Sequence, residues 1–284
     1  MQKLTKQFFS DMKNDIEKSP YKNKIVSVIA IGSAVTGEFI KGRSDLDMGV
    51  VVKTRKDKKT VDKYFTNLIG KIDKKYGLNL KRKEKMDFMD GIWGTIFGGT
   101  IRYYRTHVMI VSLDDIDFIN QKINDAKLMF FLTIATSFNL FLREMKYSSF
   151  NVYGKDIRPL IKTRQLDFYD AAKLFSNALL FWFMSISNFL DVKESIRNAS
   201  KACIFESEHE LAEMQRRIGS RKENIKDWKK FVNDKQFSDH LSRALYYKTH
   251  PQKITRQEQA SFIANSIKFL IGTHMMLFKR RLFK

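Results

Sequence analysis

Residues 25–52 read IVSVIAIGSAVTGEFIKGRSDLDMGVVV, and the fold of the first part of the chain is decided there. Ile25 to Ile31 is an apolar run rich in β-branched residues and too short for a free-standing helix, so it reads as a buried strand. Gly32-Ser33 follows directly, then a short segment to Gly37 and a polar loop holding Gly42, Arg43 and Ser44. Asp45 to Val52 reads as a second strand. Strand side chains alternate between faces, so Asp45 and Asp47 share one face while Leu46, Met48, Val50 and Val52 turn to a core. Two carboxylates side by side repel unless a cation sits between them. A hard divalent ion such as Mg²⁺ takes oxygen ligands of this kind and keeps positions free for phosphate and water.

Upstream of the pair, Gly32 allows a ligand close to the backbone, and Ser33 adds a hydroxyl where a helix is expected to begin; exposed N–H groups there bind phosphate. A phosphate cradle followed by two carboxylates equips a protein for phosphoryl chemistry. Gly-Ser, a gap of about a dozen residues, then Ser-Asp-hydrophobic-Asp before an apolar strand resembles the nucleotidyltransferase superfamily that includes DNA polymerase β. Within it, the resemblance is to the minimal and antibiotic nucleotidyltransferases. It rests on Gly32 to Asp47, and the corresponding domain would take roughly the first 115 residues. It implies that Asp45 and Asp47 hold metal, two Mg²⁺ ions, and that Gly32 and Ser33 bind the β- and γ-phosphates of a nucleoside triphosphate such as ATP. The two ions would stabilise the entering and leaving oxygens.

The resemblance also implies a third carboxylate on the next core strand, toward the acceptor hydroxyl. Asp87 is the first candidate, as catalytic and metal residue, with Glu84 and Asp90 as alternatives. Leu78 and Leu80 mark the core face of a strand running toward Met86, and parity puts Asp87 on the other face with Glu84 pointing away, unless a bulge intervenes. The expected activity is transfer of a nucleoside monophosphate from an NTP to a hydroxyl with release of pyrophosphate. The acceptor stays open between a small molecule, a protein side chain and an RNA 3′ end. A competing reading is an inactive nucleotide-sensing or partner-binding module of the same fold. The blandest is a pair of solvated carboxylates at a strand edge.

The chain has 284 residues, 43% of them apolar, which excludes general disorder and leaves ample material for a core. A net charge of +21 attracts polyanions such as nucleotides or RNA, though scattered lysines also reflect composition bias. Cys203 is the single cysteine, so no internal disulfide forms, in keeping with a reducing cytoplasm. No signal-peptide core opens the sequence, and the longest apolar cluster, 178–190, is too short to span a bilayer. A soluble cytoplasmic protein is expected, with no membrane partner.

Leu4, Phe8, Met12 and Ile16 recur at helical spacing and predict an opening helix that stops at Ser19-Pro20. Val61, Tyr64, Leu68 and Ile72 predict another, capped by Gly77. Residues 106–112, THVMIVS, predict a strand. From Asp114 onward helical periodicities dominate, over 115–145, 165–190, 206–218, 221–232, 237–247 and 256–282, while 151–156 (NVYGKD) reads as a loop. The expected architecture is α+β: a nucleotidyltransferase-type mixed sheet with helices over 1–113, then an all-helical bundle over 114–284.

Several basic and aromatic residues invite more than one reading. Lys81, Arg82, Lys83 and Lys85, and the C-terminal Lys279-Arg280-Arg281, suit contact with phosphate or RNA backbone as well as a plain solvated edge or the favoured basic end of a helix. Tyr103, Tyr104 and Arg105 suit base stacking or packing. Arg243 and His250, with six residues between them, resemble the Arg–His signature of HEPN domains, some of which cleave RNA. In so basic a chain that pair also arises by chance. His107, His209, His240 and His274 show no metal-ligand spacing.

Overall fold

The computed structural model describes residues 3–37, 39, 41, 44–80, 106–135, 137–165, 167–215 and 221–282. Packing divides the chain into two compact units, Met1–Ile134 with Phe138–Arg164, and Ala135–Ser137 with Gln165–Lys284. The architecture is α+β: a small mixed sheet with helices, then a run of helices.

In the first unit α1 (Lys3–Lys18) precedes β1 (Ile25–Ile31), a single turn α2 (Ser33–Thr36), β2 (Leu46–Val52), α3 (Asp57–Tyr76) and β3 (Thr106–Ser112). The sheet order is β3-β2-β1-β6, where β6 is Phe150–Gly154. β1 runs antiparallel to both β2 and β6, and β2 runs parallel to β3. One face of the sheet carries the main core. Phe8, Met12 and Ile16 of α1 and Val61, Phe65, Ile69 and Ile72 of α3 pack with Val28, Leu46, Met48, Val50, Val52, Val108 and Ile110. Both helices therefore bury the stripe that their spacing predicts, and α3 ends at Gly77 with φ 56°, in the left-handed region that favours glycine.

Three expectations need correction. Residues 78–80 are not a strand: Asn79 takes φ 59°, which breaks an extended run, and the Leu80 N–H donates to Asp73 Oδ1 instead of to a neighbouring strand. Leu78 and Leu80 are nonetheless buried, as their pattern implies; the continuation toward Met86 lies outside the described residues.

Residues 115–145 do not form one helix. They hold a two-residue ribbon, β4 (Ile116–Asp117) with β5 (Lys122–Ile123), then α4 (Ala126–Ala135) and α5 (Phe138–Tyr147). Aspartates break the periodicity. Asp115 is fully buried and accepts from Arg55 Nε (2.7 Å), Lys58 Nζ (2.9 Å) and the Ser112 N–H (2.9 Å). Asp117 accepts from the Ile119 and Asn120 N–H groups in a tight turn, and Asp125 starts α4 by accepting from the Leu128 N–H.

Residues 150–154 are a strand, not a loop. β6 joins the open edge of β1, and Gly154 lies so close that a Cβ would meet the Val26 carbonyl oxygen at 2.2 Å. This pairing carries the first unit well past the expected boundary at 113/114.

The second unit contains α6 (Phe168–Ser187), α7 (Val192–Gln215), α8 (Arg221–Val232), α9 (Lys235–Thr249) and α10 (Arg256–Leu282). α7 is central and packs against the other four. Ala199, Ala202 and Cys203 on α7 let Trp228, Leu241, Phe262 and Phe269 approach closely. Asp167 and Asp170 form a reciprocal capping box at the start of α6, and Thr255 with Glu258 does the same for α10. Among the described residues no helix is long and apolar enough to cross a membrane.

Candidate functional site

β1 and β2 are a tight antiparallel pair, with Ile31 opposite Asp47. Gly32 follows Ile31, so the turn after β1 is laid against the start of β2. Its φ is 71°, and a Cβ built on it would stand 3.0 Å from Asp47 Oδ2. Glycine is required twice over, for the backbone conformation and for the space. The Ser33 hydroxyl lies 3.5 Å from the Asp45 carbonyl oxygen, a long contact that ties the same turn to the residue before β2. Buried Phe39 anchors the loop between these strands in the sheet core.

The four residues read from the sequence thus meet at one end of the sheet. Asp45 and Asp47 are both half-buried, so the carboxylates stand at the border of core and solvent. α2 is only one turn long, so its dipole adds little; what remains for an anion is the open backbone at Gly32 and the Ser33 hydroxyl. The place of a Gly32 side chain is left clear beside an Asp47 oxygen, and two carboxylates are a hard donor set. Both features fit a divalent cation carrying a phosphate.

Asp87, Glu84 and Asp90 lie outside the described residues, as do Lys81, Arg82, Lys83, Lys85, Tyr103, Tyr104, Arg105 and Arg43. Among the described residues no cluster of three or more His, Cys, Asp or Glu could hold a metal ion. The strand that the register sets beside β2 is β3, and it pairs Asp47 with position 107. His107 attracted no attention in the sequence because its neighbour in space is sixty residues away in the chain. A parallel register leaves no local signal.

The other candidates separate clearly. Cys203 is buried, with its Sγ 3.6 Å from His240 Nε2, and burial pushes its thiol up to about 12, so it is a packed thiol. His240 Nε2 also lies 3.1 Å from Ser266 Oγ, and burial first, then the charge of Arg243, draws its pKa down to about 4. His274 Nδ1 meets Glu206 Oε1 at 2.9 Å, and burial raises the Glu206 pKa against the opposing pull of His274. Arg243 lies over the Tyr247 ring, while His250 ends α9 stacked on Tyr246 and bound to the Thr249 hydroxyl. Each is engaged in a local contact of its own. The side chains of Lys279, Arg280, Arg281 and His209 lie outside the described residues.

No curated protein matches the chain by sequence. Among solved structures it is similar to spectinomycin adenyltransferase AAD(9) from Enterococcus faecialis, solved with ATP and spectinomycin. The TM-score is 0.52 at 16% identity, over 95% of this chain and 99% of that one, a likeness of fold through both the sheet and the helical parts. A family model described as "Nucleotidyltransferase domain" matches residues 13–95, which run from within α1 through α3 and include the whole Gly32–Asp47 turn. The family match is to this one domain, and over the whole chain the likeness is one of fold.

Proposed function

We propose that the protein transfers a nucleoside monophosphate from an NTP, ATP in the first instance, to an acceptor hydroxyl and releases pyrophosphate. The observation that carries this reading is the convergence of Gly32, Ser33, Asp45 and Asp47 at one end of the sheet. Asp45 and Asp47 would hold Mg²⁺, two ions in the full complex, which when bound would supply charge neutralisation of the triphosphate and easier deprotonation of the attacking hydroxyl.

The chain's own residues supply the rest. The Gly32 backbone, with no side chain in front of it, receives the β- and γ-phosphates, and the Ser33 hydroxyl donates to one of their oxygens. The rigid β1–β2 pair keeps the two carboxylates in place, so that the α-phosphorus is presented in a fixed position relative to the incoming hydroxyl. Asp87 polarises that hydroxyl and accepts its proton. The reaction is a displacement at phosphorus: a bond forms from the acceptor oxygen, and the bond to the pyrophosphate oxygen breaks.

For the acceptor, a small-molecule alcohol is favoured over a protein side chain or an RNA 3′ end. The fold likeness to an adenyltransferase crystallised with an antibiotic extends through the helical part and is not confined to the nucleotide half. The test is pyrophosphate release from each NTP with Mg²⁺, against a panel of amino-sugar and aminocyclitol alcohols, tyrosine peptides and short RNAs. Product mass should rise by one nucleoside monophosphate with a small alcohol. Transfer to RNA alone would reassign the acceptor. NTP binding without release on any acceptor would favour the sensing module.

A further inference from the structure

After β6 the chain turns back along α5 and follows that helix from its C-terminal to its N-terminal end. This strap has no regular structure beyond one short turn at Arg158–Leu160, and side chains hold it along its length. Arg158 Nη1 donates to the Ser149 carbonyl (2.9 Å), Lys146 Nζ donates to the Ile161 carbonyl (2.7 Å), and the Tyr147 and Thr163 hydroxyls meet at 3.1 Å. At the far end Arg143 Nη1 donates to the Arg164 carbonyl (2.9 Å). The Asn139 amide accepts from the Arg164 N–H (3.3 Å) and donates to its carbonyl (3.4 Å), as a neighbouring strand would. Asn139 and Arg143 are both buried.

The two halves of the strap are held differently. Up to Ile161 it is anchored by apolar burial, since Ile157 and Ile161 lie in the interior. Beyond Ile161 no apolar side chain follows. Lys162 and Arg164 are exposed and Thr163 is half-buried, so the hold rests on the polar contacts, to which Gln121 adds a bond to the Lys162 carbonyl. Water competes for both partners of each such bond, so its net contribution is modest, and a segment held this way opens long before the unit around it unfolds.

What such an opening would release is the connection between the units. The chain passes from the first unit to the second between Arg164 and Gln165, and the earlier passage between Ser137 and Phe138 lies one residue from Asn139. α6 is capped at Asp167. With 162–164 held, the stretch between the strap and that cap is 165–166; with them released it becomes 162–166. A longer tether allows a wider range of positions.

We propose that residues 162–164 are a latch on α5, closed by Asn139, Arg143 and Tyr147, and that its closure fixes the length of chain joining the two units. α5 also rests on the sheet: a Cβ on Gly49, two residues beyond Asp47, would stand 4.0 Å from Met145 Cε. The latch is thus built on the helix that backs the strand of the candidate site. In the transfer reaction proposed above, on which this consequence rests, Asn139, Arg143 and Tyr147 are positioning residues that touch neither nucleotide nor metal.

Limited digestion of the full chain with trypsin tests the latch, because a protease takes only chain that has come free, and Lys162 and Arg164 supply the cleavage sites. Asn139→Leu keeps the size of the side chain and removes its amide contacts. It should raise cleavage after 162 and 164 by about tenfold, the loss of one or two net hydrogen bonds. Tyr147→Phe, a mild change on a half-buried ring, should raise it less. Rates at other sites and the far-ultraviolet spectrum should not change. Transfer by Asn139→Leu should show a severalfold lower kcat with NTP affinity unaltered. Cleavage is read without substrate, so it decides the latch even if no transfer is found. Equal cleavage in wild type and both variants, or a rise at every site alike, would overturn the latch. Faster cleavage at 162 and 164 with an unchanged kcat would overturn the positioning role.

Discussion

Gly32 and Asp47 stand so close that a single added carbon on the glycine would come 3.0 Å from the carboxylate oxygen Oδ2. The turn proposed to receive phosphate and the carboxylate proposed to hold metal are therefore one structure. Gly32→Ala should cost about 1–2 kcal/mol of stability through its φ of 71°. It should weaken NTP binding far more than Ser33→Ala, which removes one hydroxyl contact of about 1 kcal/mol. Calorimetric titration with Mg²⁺ and a non-hydrolysable NTP measures both. Equal affinity for wild type and Gly32→Ala would remove Gly32 from the phosphate site.

Asp45 and Asp47 are half-buried neighbours of like charge. Asp47→Asn and Asp45→Asn should each abolish transfer while the metal-free melting temperature holds or rises, because one source of repulsion is gone. The same variants should lose Mn²⁺ binding followed by electron paramagnetic resonance. A large fall in melting temperature in both would make the pair structural.

The third group is open to a direct contrast. Asp87→Asn should lower kcat by at least about 100-fold with little change in NTP affinity, as removal of an acceptor-side base does. His107→Asn is the comparison, since the β2–β3 register sets position 107 beside Asp47. If His107→Asn loses the rate and Asp87→Asn keeps it, the acceptor side belongs to β3.

Asp115 links α3 to the segment after β3, and although burial pushes its pKa up, the Lys58, Ser112 and Arg55 donors together hold it below the usual carboxylate range. Asp115→Asn should therefore destabilise the first unit by about 2 kcal/mol at neutral pH, since both cations lose a buried partner and Arg55 is half in solvent. A lowered folded pKa means that this stability is present above the unfolded value and is lost as pH falls through the folded one. Denaturant melts of the two proteins should then converge toward acid. A difference that does not shrink toward acid would point to packing.

His240 runs by the same sign. Its folded pKa, about 4, lies below the ordinary 6.5, so the unfolded chain takes up a proton first as pH falls. Between these values stability should decline by about 1 kcal/mol per pH unit. His240→Gln should flatten that slope in urea titrations of the full chain. An unchanged slope would assign the acid sensitivity to another group.

What the sequence by itself determined is local. That Gly32, Ser33, Asp45 and Asp47 lie together was legible because strand parity and a glycine turn act over a few residues, and the stripes of α1 and α3 because burial imposes a period on helices. What the tertiary structure alone decided is long-range. β6 looks like a loop in the sequence because five residues on a sheet edge carry little pattern, and only the open edge of β1 makes them a strand. The helical periodicity of 115–145 is overridden by Arg55 and Lys58, some sixty residues earlier, which pull Asp115 into the interior. The pairing of position 107 with Asp47 follows from a parallel register, which leaves no trace in the intervening sequence. Residues near in the chain announce their partners through spacing; residues brought together by sheet pairing do so only once the chain has folded.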